Sequence, residues 1–487
     1  MRWEVAAVVI VLILVLSISL YYVAAPHGGE TQTTITSSIM STTTMSTTSP
    51  SITTSSTTVA QSTATSTSQS STSITGGNWT TYQSNDARTG YDPTANFTSV
   101  QPDWKSTTLD GAVYAQPLVF GGDVFVATEN NSVYSLDAKT GNVLWRTNLG
   151  LPVPGGELQC GDINPSGITG TPVIDASRGI LYVVAFTSLH HTLFAINTTS
   201  GVVIFQKAAD PSGFVVTAQQ QRSALSLANG TIYIPYGGLA GDCGEYHGWV
   251  VGLSPNAGGE MEVYQVPTTR EGGIWAPSGA AVDSSGNVYV STGNGASETT
   301  FDYGDSVLKL QPSLSLAGYF APTNWMQLNS DDGDLGSTGP ALVGPDLLFQ
   351  VGKAGVGYLL NTSDLGGIGG QLYSGSVCGG GYGGTAYSSP LLFVPCNDGL
   401  VELQVSNSSF STVWQTPSFD AGPPIVTGGV VWTVDTSSGT LEGFSVKTGY
   451  EAFSFSLGSV VHFCPLAGGD GRIFVASNDE ITALMLG

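Results

Sequence analysis

The sequence predicts an all-β chain folded as an eight-bladed β-propeller, and three features carry that prediction. First, an apolar–aromatic–apolar motif on short β-branched runs recurs eight times, around Phe125, Tyr182, Tyr233, Tyr289, Phe349, Phe393, Trp432 and Phe474. Second, each copy is followed by a strand ending in an apolar residue (Leu136, Ile196, Leu253, Leu310, Leu360, Leu403, Phe444, Leu484). Seven copies then reach an outer aromatic, at Trp145, Phe205, Tyr264, Tyr319, Tyr373, Trp414 and Phe453. Third, small-residue strands precede the sets, such as AQPLV from Ala115 and AGPPIV from Ala421. Four strands per unit at a spacing of roughly 40 to 60 residues is the pattern of propeller blades. The eighth unit ends at Gly487 without an outer strand, and the segment QPDWKSTTL offers Trp104 to complete it. The last blade is therefore expected to close the ring non-covalently and remove a sheet edge.

Composition narrows the function classes. The 487 residues carry 13 Lys+Arg against 36 Asp+Glu, a formal net charge of −23, with 64 Gly and 41% apolar residues. The basic residues are scattered singly, so the basic stripe needed to displace counterions from a polyanion is missing and nucleic-acid binding is excluded. No stretch of the repeat region carries a clean apolar stripe at helical period, which excludes an all-helical body.

Ahead of the repeats, residues 5–25 form a nearly unbroken, uncharged apolar run long enough for a transmembrane anchor. Arg2 precedes it and the next basic residue is Arg88, which leaves residues 1–4 as a cytoplasmic tip and the remainder outside the cell membrane. From Thr31 to Thr75, 32 of 45 residues are Ser or Thr. Such a segment cannot bury enough apolar surface to order itself, so residues 26–76 read as a disordered stalk before a propeller at 77–487. Sequons at Asn78, Asn96, Asn130, Asn197, Asn229, Asn361 and Asn407 are candidate glycosylation sites.

The stretch Leu136-Asp137-Ala138-Lys139-Thr140-Gly141-Asn142-Val143-Leu144-Trp145 resembles the repeat of pyrroloquinoline-quinone-type propellers, in which an Asp, a Thr-Gly turn and an outer-strand Trp recur. The turn returns at Ser200-Gly201 and Thr448-Gly449. Further stretches, NDARTGYDP from Asn85, CGDINPSGITGTPVID from Cys160, GDCGEYHGWVVGL from Gly241 and DLGSTGPALV from Asp334, resemble a subfamily of exported propellers of unassigned activity.

In a four-stranded meander the loops after the second and fourth strands emerge on one face. The long insertions Pro235–Trp249, Thr292–Ser306, Leu151–Thr169, Ala208–Gln221 and Met326–Thr338 all belong to those loops. Loops on a rigid scaffold concentrate function. That face gathers Asp242, Glu245 and His247, then Asn294, Glu298, Asp302 and Asp305, then Asp331, Asp332 and Asp334. These oxygens suit Ca²⁺, which takes six to eight of them, but the acidic side chains equally suit solvated loops and turn caps. The resemblance implies Glu245, Asn294 and Asp332 as Ca²⁺ ligands, Asp332 or Asp334 as a catalytic base, and pyrroloquinoline quinone as cofactor. Against it, the enzymes of that family carry an adjacent Cys pair, and none of the five cysteines here are adjacent. His190, His191 and His247 have no further His or Cys at zinc spacing.

Cys378 and Cys396 flank one strand pair, and Cys160 and Cys243 both lie in long loops, so these two disulfides are expected, with Cys464 a buried thiol. Five free cysteines remain the alternative. The expected function is a membrane-anchored extracellular binding or scaffolding module whose long-loop face meets a glycan, a surface protein or a small ligand. The alternatives are a Ca²⁺- and quinone-dependent oxidoreductase of alcohols or sugars, and an envelope assembly scaffold. The low charge density also suits an acidic habitat.

Overall fold

A computed structural model describes residues 77–487 as eight antiparallel sheets arranged around one axis. The expected anchor, stalk and tip over residues 1–76 lie outside the described residues. Among the described residues no helix is long and apolar enough to cross a membrane.

Each blade is the predicted meander. Blade one runs Leu118–Phe120, Asp123–Ala127, Ser132–Asp137 and Val143–Asn148, and the following six repeat the order at the predicted spacing. The eight motif aromatics all sit on the second strands, where none is more than 3% exposed. The last blade has three strands from the C-terminus, Leu466–Gly469, Arg472–Ser477 and Glu480–Leu486. Its outer strand is Val100–Lys105, paired antiparallel with Glu480–Leu486, so Trp104 closes the ring as the sequence predicts.

The Gly of the repeated turn has a definite steric role. At Gly141, Gly201 and Gly449 φ lies between 68° and 70°, the left-handed region. Each glycine also lies flat against the outer-strand Trp of the preceding blade, Trp104, Trp145 and Trp414 respectively. The Trp145 indole N–H donates to Thr198 O at 2.9 Å and that of Trp104 to Ala138 O at 3.0 Å, tying each outer strand to the next blade's turn. A Cβ on Gly201 would stand 2.6 Å from the Trp145 ring. Gly201→Ala is expected to lower stability by about 1–3 kcal/mol, read as a shifted denaturation midpoint.

One element has no counterpart in the repeat pattern. Residues 77–92 wind once around the inside of the ring and bond to the innermost strands in blade order. Trp79 exchanges two backbone bonds with Val119 of blade one, and Thr80 O accepts from Ile174 of blade two. Arg88 reaches Leu225 O and Ser226 Oγ of blade three. The carbonyls of Asp86, Ala87, Thr89 and Gly90 then accept from Val282, Leu342, Tyr387 and Val426 of blades four to seven. Tyr91–Asp92 ends the turn as a parallel strand on blade seven. Trp79, Tyr82, Gln83 and Arg88 are at most 1% exposed. Because the innermost strands lead into the short hairpins, this plug fills the tight-turn end of the channel and leaves the long-loop end as a funnel.

Both expected disulfides are present, Cys160–Cys243 and Cys378–Cys396, and Cys464 is a buried free thiol. Cys160–Cys243 joins the loop between blades one and two to the long loop of blade three, stapling the funnel wall. Of the sequons, Asn78, Asn96, Asn229 and Asn407 have exposed side chains, while Asn130, Asn197 and Asn361 are half-buried.

Candidate functional site

The funnel holds a cavity of about 270 Å³ walled by Arg222, Tyr246, Asp242, Trp275, Asp332, Asp334, Lys353 and the loop Gly238–Gly241. Beside it, Phe463, just ahead of the innermost strand of blade eight, stands 6.3 Å from both Trp275 and Tyr382, ring to ring, with the Arg222 guanidinium 5.8 Å away.

The acidic side of the wall is built by backbone proximity. Gly293 leaves no room for a Cβ, because the Asp334 carboxylate and the Trp275 indole N–H press on it. That contact lets the Asn294 N–H donate to Asp334 Oδ1 at 2.7 Å. Asp305, fully buried, accepts the Leu335 N–H at 2.7 Å through Oδ1, while its Oδ2 has no hydrogen-bond partner. Burial pushes the Asp305 carboxyl well above the usual carboxylate range, and the nearby Asp334 adds to it. Burial likewise lifts Asp334 to about 6 against the pull of Lys353. The Lys353 ammonium lies 2.7 Å from Asp332 and 2.7 Å from Asp334, and 5.7 Å from the centre of the Trp275 ring. Burial disfavours the Lys353 charge, but the two carboxylates outweigh it and hold the ammonium protonated beyond the ordinary lysine range.

The candidate residues thus fall into two groups. Asp332, Asp334 and the Asn294 backbone meet at the cavity, joined by Asp242, which accepts the Tyr246 hydroxyl at 2.5 Å. Glu245 is exposed and lies outside the cavity wall, beside His247. Glu298 and Asp331 are exposed to solvent. His190 and His191 pair with Asp210 on blade two. Sequence reasoning did not single out Lys353, Trp275, Tyr246, Arg222 or Phe463. Lys353 had one available signal, as a rare base in a chain with 13, placed just after the second strand of blade five on the long-loop side.

A Ca²⁺ ion bridging Asp332 and Asp334 would stand where the Lys353 ammonium already lies. Among the described residues, the one His, Cys, Asp or Glu trio with its ligand atoms within 4.8 Å of each other is Cys378, Cys396 and Asp398, whose sulfurs are bonded together. Pyrroloquinoline quinone is a tricarboxylate, and the wall offers it Arg222 and an already committed Lys353 against Asp242, Asp332 and Asp334. The residues present do not fit the Ca²⁺–quinone pair in that position.

Comparison with known proteins places the repeat. A family profile described as outer membrane protein assembly factor BamB matches residues 98–315. Polyvinylalcohol dehydrogenase of Sphingopyxis sp. (strain 113P3) is 22% identical over 272 residues, 50% of this chain and 39% of that protein. Assembly factor BamB of Burkholderia pseudomallei (strain K96243) is 34% identical over 88 residues, 17% of this chain and 23% of that protein. The chain thus spans well under half the length of these curated relatives. Quinohemoprotein alcohol dehydrogenase ADHIIG of Pseudomonas putida HK5 superposes with a TM-score of 0.68 at 14% identity, over 84% of this chain and 80% of that one. The chain is an eight-bladed β-propeller, and within it residues 98–315 are similar to that family profile.

Proposed function

We propose that this chain is a recognition module, tethered to the cell membrane by residues 5–25 with its propeller outside, whose funnel binds a small polyhydroxylated ligand such as a glycan terminus. The observation that carries this reading is the Lys353 ammonium held between Asp332 and Asp334 over the Trp275 ring. An aromatic platform beside fixed carboxylates and cations matches the alternating apolar faces and hydroxyl edges of a sugar ring. The Asp332–Lys353–Asp334 group, with one negative charge in excess when all three are ionised, offers hydrogen-bond donors and acceptors without requiring a metal. The disulfides support an oxidising compartment.

The relatives lend support to two other readings. Dehydrogenases among them favour a quinone-dependent oxidoreductase, with the unpartnered Asp305 Oδ2 beside Asp334 as a place for a cation. The match over residues 98–315 favours an envelope assembly scaffold.

The full-length chain applied to a glycan array is expected to retain a saccharide class, and Trp275→Ala is expected to weaken that retention at least tenfold. Calorimetric titration with pyrroloquinoline quinone and Ca²⁺ is expected to show no saturable heat. Quinone binding that requires Ca²⁺ and disappears in Asp334→Asn would overturn the recognition reading in favour of the oxidoreductase.

A further inference from the structure

A second cavity opens on the long-loop side at the junction of blades one and two, with a volume of about 220 Å³. Asp110, Tyr114, Glu129, Asn130, Asp162 and Asn164 supply its polar wall, and no basic side chain lines it. Two of the three carboxylates already have charged partners outside the cavity. Asp110 accepts from Thr128, Asn130 and Ser132 and pairs with Arg146. Asp162 lies 3.3 Å from Arg222 and 3.6 Å from His462.

Glu129 differs from both. It is 2% exposed, its Oε2 accepts the Gly167 N–H at 2.6 Å, and its Oε1 has no hydrogen-bond partner at all. A buried carboxylate oxygen left without a donor is costly, so a fold that keeps one beside a cavity is poised to receive a donor from a ligand. Burial pushes this carboxyl up to about 7, outweighing the Gly167 N–H, the Thr169 hydroxyl and the charge of Arg222, which pull it down. The cavity is too large for a bare ion and its carboxylates do not close into a metal-binding trio.

We propose that this cavity binds a small polyhydroxylated primary amine, its ammonium donating to Glu129 Oε1 and Asp162 and its hydroxyls meeting Asn130, Asn164 and the Tyr114 hydroxyl. An ammonium supplies three donors to an acceptor-rich wall, and a charge-assisted bond to a desolvated carboxylate is roughly twice as strong as a neutral one. The site is separate from the funnel cavity and stands whether or not the funnel binds a glycan.

Glucamine, whose amine stays protonated, and sorbitol, its neutral counterpart, serve as probes of the full-length chain at pH 8. Glucamine is expected to bind saturably and at least tenfold more tightly than sorbitol. Glu129→Gln is expected to weaken glucamine at least tenfold while leaving any glycan retention at the funnel unchanged. Should Glu129→Gln fail to fold, Asp162→Asn at the cavity rim is expected to weaken glucamine severalfold. In the wild-type chain, glucamine is expected to slow amide exchange in residues 110–114 and 162–167. Equal affinity for sorbitol, binding untouched by either variant, or no slowing in those segments overturns the proposal.

Discussion

Replacing Arg88 with alanine is expected to lower the unfolding free energy by about 4 kcal/mol, the size seen when a buried charged group leaves its partners unanswered. The guanidinium is 1% exposed and donates to Ala280 O, Thr81 Oγ1, Tyr82 O, Leu225 O and Ser226 Oγ. No carboxylate bonds it; Asp86 lies near enough to favour its charge, while burial holds its pKa down at about 10. Its fold role is therefore that of a five-way donor, joining the plug to blades three and four. Alanine removes all five donors and leaves a void among carbonyls that no water can reach from the core side. Lysine does not rescue it, since one ammonium carries three donors and no fork. The denaturant midpoint of Arg88→Ala, measured against wild type and Arg88→Lys, checks this. An unchanged midpoint would mean that the plug merely fills the channel and does not hold the blades together.

The contrast between blades and plug explains what the sequence made legible. A blade is a repeated solution to one packing problem, so its aromatics recur and can be aligned with one another eight times. Phe125 and Phe474 point to each other across the whole chain, and Trp104 is recognisable because seven outer aromatics define the place it must fill. The plug solves its problem once. The Trp79 backbone meets blade one, the Gln83 side-chain amide blades six and seven and the Arg88 guanidinium blades three and four, so no second copy exists to reveal them. The stretch from Asn85 stood out only through a resemblance. The funnel is intermediate: the meander rule identified the elaborated face and its acidic residues, because loop length is visible in a sequence. Which carboxylates turn inward was not visible. Glu245 and Tyr246 are neighbours in sequence, yet the loop presents the tyrosine to the cavity and the glutamate to solvent. Lys353 stands 21 residues beyond Asp332, on the far side of the inner hairpin of blade five, a separation that leaves no local pattern.

The same buried acids make stability depend on pH in an uncommon direction, with the chain expected to be more stable at pH 5 than at pH 8. Glu129 and Glu402 are each 2% exposed, and burial raises both carboxyls to about 7. A carboxyl raised in the folded state keeps its proton there while the unfolded chain releases it near pH 4.3. Its contribution is therefore fully present below that value and is lost as pH rises through about 7, by about 3 kcal/mol for each group at full ionisation. Asp110, Asp283 and Asp435 do not offset this, since hydrogen bonds outweigh burial to hold them below the usual range. Their contribution is complete above about pH 4 and constant from pH 5 upward. His247 and His462, lowered by burial, act in the opposite sense below about pH 6.5 and reduce the difference without reversing it. Thermal unfolding is expected to give a Tm several degrees higher at pH 5 than at pH 8. Glu129→Gln combined with Glu402→Gln is expected to flatten that profile, because an amide mimics the protonated acid at every pH. A wild-type Tm equal or higher at pH 8 would mean that these two carboxyls are ionised in the fold and solvated in a way their burial denies. The expected slope also gives the sparse charge of this chain a physical consequence: with few ion pairs to lose on acidification, protonated core glutamates set the balance, and acidic surroundings favour the fold.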